Sequence, residues 1–572
     1  MAHFHVKTKN GRPYLYVREI ARVGGRPKVV KQTYIGSPAR VAALVSGENS
    51  EETELRTVEF GSLWLARELD RDVGFAEIVD SVIPRGARET GPSIGEYFLY
   101  AVFNRMIEAQ SKLQLSSWYE DLAVHEVRPV DVKELTSRRY WEKWDRVNES
   151  MLEEISRRFF ARICDLERIE ADCVLFDTTN YYTFMASDTD SELARRGHNK
   201  DGRHNLRQVG LGLLVERGSR LPLFYRAYPG NLHDSKLFGE VMDEMIGVVS
   251  ALDREKGRIT VVVDKGMNGD ENIAWIDDRR EVHFVTTYSL YHTPELAGVS
   301  LERFEPVENE KNRLLSSEGE DTERLLAWRT SGEYWGKERT VVVTFNPAKA
   351  RKQDYTLESK LDVVRDELLK MRTAVREDRP QWRDPETIRV RYRQLCEKIH
   401  LPQNLYTIEC TTEDGTLSMG FRKDPYQIDK VLRSHGRNVI VTDNRDWTTA
   451  EIIRASTDRW EIESNFRLTK DDDLVAVQPI RHWTDSKIRC HLLTCVVALT
   501  YLRRLERKLK ANGSDATAEK IIAKMRKLHS VLSWKKGERQ PRRRLTTPTK
   551  TQAEVLRAFG SRIDRSGVLQ PL

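Results

Sequence analysis

The chain contains 572 residues, several times the roughly 100 to 200 residues of a typical domain, so more than one compact unit is expected. Hydrophobic residues make up 39% of the sequence, which excludes wholesale disorder. The net charge is only +6, but residues 1–35 hold eight Lys or Arg against one acid, and residues 524–545 hold nine against one. Such clusters predict a polyanionic partner, because cations release condensed counterions from phosphate backbones. A solvated basic tail remains the alternative at either end.

Two classes of protein are disfavoured by the distribution of apolar residues and cysteines. The longest apolar run, 492–502, is about half of the ~20 residues that a membrane-spanning helix needs, and the N-terminus lacks a signal core. We therefore expect a cytoplasmic protein that does not contact membranes. The six cysteines show no CxxC spacing, which argues against a zinc site or a disulfide framework.

The N-terminal third is predicted to contain a small β-structure followed by helices. Residues 14–23 and 28–35 are typical of strands joined at Gly24-Gly25, which predicts a basic, DNA-binding β-hairpin over residues 1–45. Helical periodicity at 63–69, 97–107 and 151–166 predicts a helical domain over residues 46–170.

From residue 171 the pattern changes to an α/β arrangement. Strands at 174–176, 209–216, 221–228, 259–263 and 282–287, with helices near 237–249 and 271–279, predict a sheet of mixed direction over 171–288. Residues 289–436 then predict an inserted domain with a helical hairpin. A strand at 438–442 is followed by a helix that begins at Thr448, with Glu451 as capping-box partner, and continues past Lys470. These elements continue the core over 437–510, before a basic region at 511–572.

Two carboxylates follow apolar strands directly. Asp177 comes after residues 174–176, and Asp264 comes after residues 261–263. If these strands are neighbours, the two carboxylates could share Mg²⁺, which prefers carboxylate oxygen. An Asp that merely caps a turn is the alternative for either residue.

A third carboxylate is predicted on a helix between two cations. At about 100° per residue, Arg459, Glu463 and Lys470 share one helix face. This pattern suits a metal-binding Glu463 with two flanking phosphate contacts, although Arg459 and Glu463 are also spaced for an ordinary ion pair.

Taken together, these motifs resemble the DDE transposases of prokaryotic insertion sequences, in particular a long-chain branch of the group known as insertion sequence four. The resemblance rests on Asp177-Thr178-Thr179, on residues 197–203, on the run 263–266, on Arg459-x3-Glu463-x6-Lys470 and on residues 477–483. Ser456 stands where the third motif of that group, Tyr-x2-Arg-x3-Glu-x6-Lys, has its Tyr.

The resemblance implies a ribonuclease H-like core interrupted by an inserted domain, and a metal-dependent transposase. It implies that Asp177, Asp264 and Glu463 hold two Mg²⁺ ions, with Mn²⁺ as a substitute, for cleavage at transposon ends and strand transfer into target DNA. The partners would be double-stranded DNA with terminal inverted repeats, target DNA and, on DNA, a second copy of the chain. Arg459 and Lys470 would contact the DNA backbone. Lys200, Arg203 and Arg207 lie in a polar loop between two core strands that also suits backbone contacts, with an ordinary solvated loop as the alternative.

Three other functions would use parts of the same sequence. A ribonuclease H-like nuclease would use the same three carboxylates but would not need to recognise transposon ends. A domesticated DNA-binding protein would need only the basic N-terminal and C-terminal segments of the chain. A carboxylate-pair hydrolase acting on sugars would not need Arg459 and Lys470. We further expect Trp328 and Trp335 to pack in a core, and the histidines at 198, 204 and 233 to lie at the surface without a metal.

Overall fold

The computed structural model describes residues 2–9, 11–24, 26–45, 53–185, 189–197, 202–203, 205–232, 234–252, 258–413, 416–535 and 540–572. It forms two compact units. The first comprises Met1–Glu68, Leu113–Thr136 and Lys508–Leu572, and the second comprises Leu69–Lys112 and Ser137–Arg507. Within the residues described, no helix has the length and hydrophobicity needed to cross a bilayer.

The described strands are, in chain order, β1 (Ala2–Lys9), β2 (Arg12–Val23), β3 (Arg26–Gly36), β4 (Thr53–Glu59), β5 (Cys173–Thr183), β6 (Arg207–Glu216), β7 (Pro222–Pro229), β8 (Ile259–Val263), β9 (Val282–Tyr288), β10 (Glu305–Pro306), β11 (Leu326–Tyr334), β12 (Lys337–Phe345), β13 (Tyr406–Glu413), β14 (Thr416–Lys423), β15 (Arg437–Thr442), β16 (His529–Lys535), β17 (Arg542–Leu545), β18 (Ser561–Ile563) and β19 (Leu569–Pro571).

The described α-helices are α1 (Pro38–Val45), α2 (Gly61–Asp70), α3 (Phe75–Val82), α4 (Ile94–Ile107), α5 (Leu115–Glu120), α6 (Val124–Val127), α7 (Ser137–Trp144), α8 (Glu149–Glu167), α9 (Asp234–Leu252), α10 (Asp270–Asp277), α11 (Pro294–Ala297), α12 (Glu310–Ser317), α13 (Pro347–Arg376), α14 (Pro385–Ile399), α15 (Pro425–Leu432), α16 (Thr449–Thr457), α17 (Trp460–Thr469), α18 (Asp485–Ala511), α19 (Ala518–Met525) and α20 (Lys550–Ala558).

The first unit contains two antiparallel three-stranded sheets. One has the order β1-β2-β3, so the two predicted strands of the N-terminal hairpin are confirmed and a further strand precedes them. The other has the order β17-β16-β4, in which His529 pairs with Glu59. The strand β4 lies within residues 46–170, for which a helical domain was predicted.

The second unit is built on a nine-stranded sheet with the order β10-β11-β12-β15-β9-β8-β5-β6-β7. The central pairs β5–β8 and β8–β9 are parallel, and the flanking pairs are antiparallel. β8, with the sequence Ile-Thr-Val-Val-Val, is buried along its whole length, as expected of a parallel strand covered on both faces. The predicted mixed α/β class is confirmed, and the arrangement is consistent with the ribonuclease H-like core that was expected.

The segment 289–436 differs from the predicted inserted domain. Its strands β11 and β12 extend the central sheet, where β12 pairs with β15. The part from α13 to α15 has a hydrophobic core formed by α13, α14 and the β13–β14 hairpin around Leu361, Val364 and Leu368. Prolines start α13 and α14 behind the N-cap side chains of Asn346 and Asp384, which explains why these helices begin there. As predicted, Trp328 and Trp335 pack against a hydrophobic core.

Candidate active site

The central sheet places Asp177 and Asp264 at neighbouring positions. In the parallel pair β5–β8, Leu175 lies opposite Val262, and each aspartate follows two residues later. Parallel strands lie about 4.8 Å apart, and residues at equal offsets point to the same side. Contrary to the prediction, β5 does not end before Asp177 but continues to Thr183, paired with β6. Asp264 does follow the last residue of its strand.

A single guanidinium contacts both aspartates. Arg459 donates from one terminal nitrogen to Asp264 Oδ1 at 2.8 Å, and its other terminal nitrogen lies 3.9 Å from Asp177 Oδ2. The side chains of Arg459 and Asp177 are 17% and 16% exposed. Each carboxylate also accepts a backbone N–H from the following residue. Two negative charges are thus gathered around one cation, with Asp177 largely buried and the Asp264 side chain 39% exposed.

Arg459 lies at the start of the helix that carries Glu463. The single helix predicted from Thr448 past Lys470 is wrong, because α16 and α17 are separate helices with Asp458 and Arg459 between them. The predicted capping box of Thr448 and Glu451 is confirmed at the start of α16. Since Glu463 N–H donates to the Arg459 carbonyl, Glu463 lies one helical turn after Arg459.

Glu463 is exposed in a cleft of about 940 Å³. The cleft is also lined by Arg459, Ser456 and Trp460, and by residues 307–312. Within the described residues, no three His, Cys, Asp or Glu side chains form a group that could hold a metal ion. The structure therefore brings Asp177 and Asp264 together and places Glu463 on the adjacent helix, without gathering all three carboxylates around one point.

Two converging carboxylates suit a hard divalent cation. Mg²⁺ is commonly held by one or two protein carboxylates together with waters, so Asp177 and Asp264 fit its ligand preference. A guanidinium contacts these same oxygens, so cation binding requires Arg459 to give up part of its contacts.

The other predicted DNA contacts lie in different settings. Lys470 is partly buried at the C-terminal end of α17. The exposed Arg203 stacks over the Tyr182 ring at 4.3 Å. Arg207 begins β6 and donates to the Ala194 carbonyl at 2.8 Å, which gives it a structural task. Lys200, with His198, His204 and His233, lies outside the described residues.

A buried hydrogen bond that the sequence did not indicate joins the strand of Asp177 to the helix of Glu463. Tyr181 on β5 and Thr469 on α17 are fully buried, and their hydroxyl oxygens are 2.6 Å apart. Thr469 also donates to the Phe466 carbonyl, so the Tyr181 hydroxyl is the donor to Thr469. This bond fixes the C-terminal end of α17 against β5.

Glu461, only two residues before Glu463, has a different environment. It is 7% exposed, and its carboxylate accepts the Gly218 N–H at 2.8 Å. Burial raises the pKa of this carboxyl group above its ordinary value. Glu461 is therefore a packing residue, whereas Glu463 faces the cleft.

Residues 174–501 match the model of the family described as transposase DDE domain. The chain belongs to this family. The transposase DDE domain runs from the start of β5 into α18 and so contains Asp177, Asp264, Arg459 and Glu463.

One similar solved structure comes from cryo-EM of a piggyBac transposase synaptic complex with hairpin DNA. It has a TM-score of 0.36 and 8% sequence identity, over 81% of this chain and 79% of that chain. The comparison with curated proteins finds no match.

Proposed function

We propose that this member of the transposase DDE domain family is a DNA transposase that cleaves phosphodiester bonds at transposon ends and transfers the freed strands into target DNA. Asp177, Asp264 and Glu463 are the proposed catalytic carboxylates. The single observation that carries this proposal is the contact of Arg459 with both aspartates, because it anchors the helix of Glu463 beside the two strand positions.

The proposed cofactor is Mg²⁺, with Mn²⁺ as a substitute, held by the three carboxylates. Bound divalent ions supply charge stabilisation at the phosphoryl group and lower the pKa of an attacking water or hydroxyl. The protein's own part is to hold the carboxylates in place. Arg459 limits repulsion between Asp177 and Asp264 until substrate and cation arrive, and a DNA phosphate is then a new acceptor for its guanidinium.

The DNA partner is supported by the distribution of charge. The sheet β1-β2-β3 carries the eight cations of residues 1–35 on a largely exposed surface, and β17 presents Arg542, Arg543 and Arg544 to solvent. We propose that residues 1–45 and 511–572 bind the transposon ends, and that Lys470, Arg203, Arg207 and Lys200 contact the DNA backbone. We further propose a homodimer on DNA, membership of the insertion sequence four group, and action in the cytoplasm of a prokaryote.

The test uses purified full-length protein and linear DNA that contains the flanks of its own gene. With Mg²⁺ present, Glu463→Gln is expected to lower strand cleavage by about 10³, since correctly placed metal charge contributes several kcal/mol. Binding to the same DNA is expected to stay within about twofold of wild type, because cation contacts with phosphate carry most affinity.

Glu310→Gln is the matched control. Glu310 is exposed and lines the same cleft as Glu463, so the substitution removes the same charge from the same cleft. Cleavage by this variant is expected to remain close to wild type. Equal cleavage by Glu463→Gln and wild type refutes the assignment of Glu463, and DNA binding without cleavage by wild type favours a domesticated binding protein.

Deletion of residues 1–35 tests the basic sheet separately. Affinity for the flanking DNA is expected to fall, and the dependence of the affinity on salt is expected to become less steep. Unchanged affinity at matched salt means that this segment serves solubility alone.

A further inference from the structure

A buried group of polar side chains in the second unit lies away from the proposed catalytic carboxylates. We call it the cation cluster. Its members are Arg105 at the end of α4, Tyr140 and Trp144 on α7, and Lys112 and His482, which lie outside the helices and strands. None of the five residues is more than 8% exposed.

Each member of the cation cluster keeps one buried polar atom without a hydrogen-bond partner in the described structure. These atoms are Arg105 Nε, Lys112 Nζ, Tyr140 Oη, Trp144 Nε1 and His482 Nδ1. Buried polar atoms normally have partners, and exceptions call for a water, an ion or a functional reason. Four of these atoms belong to side chains that contact one another, because Lys112 lies over the Tyr140 and Trp144 rings and Trp144 contacts His482.

The aromatic members hold the lysine in place. Lys112 Nζ lies 5.4 Å from the centre of the Tyr140 ring and 5.2 Å from that of Trp144. The rings of Trp144 and His482 are 5.8 Å apart. The two terminal nitrogens of Arg105 donate to backbone carbonyls, which leaves Nε available.

The chemistry of the cation cluster favours an anion. Arg and Lys are donors only, and the Trp N–H is a donor only. A bridging water accepts two hydrogen bonds and then needs acceptors for its own hydrogens, whereas a halide accepts from several donors at once. Asp145 follows α7 directly in the sequence, but its carboxylate already pairs with the Lys487 ammonium group at 2.8 Å.

We infer that the cation cluster is a binding site for a small, singly charged inorganic anion, of which chloride is the physiological example. Because every member is buried, the ligand is a free ion and not a phosphate of the DNA backbone. The site lies outside the proposed chemistry, and the inference stands without it.

A bound anion would act against the electrostatic cost of this buried group. Burial lowers the pKa of Lys112 well below its ordinary value, and the charge of Arg105 lowers it further, so an anion beside Lys112 would favour its charged form. The pKa of His482 is lowered by burial and then by Lys112.

The position of the cation cluster gives the anion a structural role. The Val475 N–H donates to the Arg105 carbonyl at 2.7 Å, and the Val477 N–H donates to the Thr469 carbonyl at 2.9 Å. The loop that leaves α17 is thus fastened to α4 next to the cluster. An anion bound there stabilises the connection between the helix of Glu463 and α18.

The experiment measures chloride binding to the full-length protein in two ways. Thermal unfolding is followed while sodium chloride replaces sodium gluconate at constant ionic strength, and chloride binding is observed directly by the NMR line width of the ion, with bromide as competitor. For wild type, we expect Tm to rise to a plateau and the chloride line to broaden until bromide is added.

Lys112→Met is expected to weaken chloride affinity at least about tenfold, because it removes a charge-assisted hydrogen bond. Tyr140→Phe removes one donor and keeps the ring, so it tests the site if Lys112→Met does not fold. Lys370→Met is the control, since it removes the same charge from a lysine on α13 that is paired with Glu367, and its chloride affinity is expected to match wild type.

The inference is overturned by either of two results. If the chloride NMR line does not broaden in the presence of wild-type protein and chloride does not raise the Tm of the protein, the donors are satisfied by ordered water only. Equal chloride affinity for wild type, Lys112→Met and Tyr140→Phe means that any binding is adventitious.

Discussion

The buried bond between Tyr181 and Thr469 predicts an asymmetric response to mutation. Tyr181→Phe removes the donor, and Thr469→Val removes the acceptor and leaves the Tyr181 hydroxyl buried without a partner. Both substitutions nearly preserve side-chain shape, so cavities contribute little.

The magnitudes follow from what each variant leaves behind. Tyr181→Phe is expected to cost about 1 kcal/mol, the net value of one hydrogen bond, because Thr469 still donates to Phe466. Thr469→Val is expected to cost ~2 kcal/mol, because a buried hydroxyl must lose its water without compensation. In the Thr469→Val background, adding Tyr181→Phe is expected to cost nothing or to restore part of the loss.

The assay is a double-mutant cycle on the full-length protein. Urea unfolding gives the global change, and hydrogen exchange of the β5 and α17 amides gives the local free energy of opening. Two results refute the claim that this bond joins the strand of Asp177 to the helix of Glu463. One is a loss of unfolding free energy in the double variant equal to the sum of the two single losses. The other is a larger loss for Tyr181→Phe than for Thr469→Val.

Three further outcomes are expected. Excess chelator is expected to abolish DNA cleavage and Mg²⁺ or Mn²⁺ to restore it better than Ca²⁺, as measured on labelled DNA, whereas unchanged cleavage excludes a metal-dependent reaction. Arg503→Met is expected to lower the free energy of unfolding by ~3 kcal/mol in urea, because Arg503 and Glu506 form a pair with side chains only 4% and 8% exposed. Glu461→Gln is expected to gain stability relative to wild type as the pH rises above about 4.3. Burial raises the pKa of Glu461 in the folded state, so loss of its proton costs folding free energy in wild type but not in the variant. Stability that changes with pH in the same way for both proteins contradicts this.

Local patterns predicted those elements whose residues are apolar and regular. β8 was recognised from its run of Ile and Val, and Asp264 from its place directly after that run. The start of α16 was recognised because its capping box lies within four consecutive residues. In these cases the information is contained in a short segment.

Elements that depend on distant partners were missed or misjudged. Residues 177–183 are mostly polar, and they form a strand because β6 pairs with them over their whole length. β4 is mixed in polarity and pairs with a strand 470 residues further along the chain. Arg459 was expected beside Glu463 from helix geometry, but its contact with Asp264 joins residues 195 positions apart. Pairing across such separations leaves no trace in local composition.

The segment from α13 to α15 connects β12 to β15, and its two ends meet the central sheet at neighbouring positions. Phe345, the last residue of β12, lies opposite Arg437, the first of β15, and the Asn346 N–H donates to the Gly436 carbonyl at 2.9 Å. β12 and β15 are therefore an antiparallel pair joined like a hairpin, and the segment from α13 to α15 with its hydrophobic core forms the connection. Loop-closure entropy grows only slowly with length, so a connection of this size is tolerated thermodynamically, and the folded segment holds its two ends together where the strands pair. The sheet itself therefore sets no geometric limit on the size of this connection.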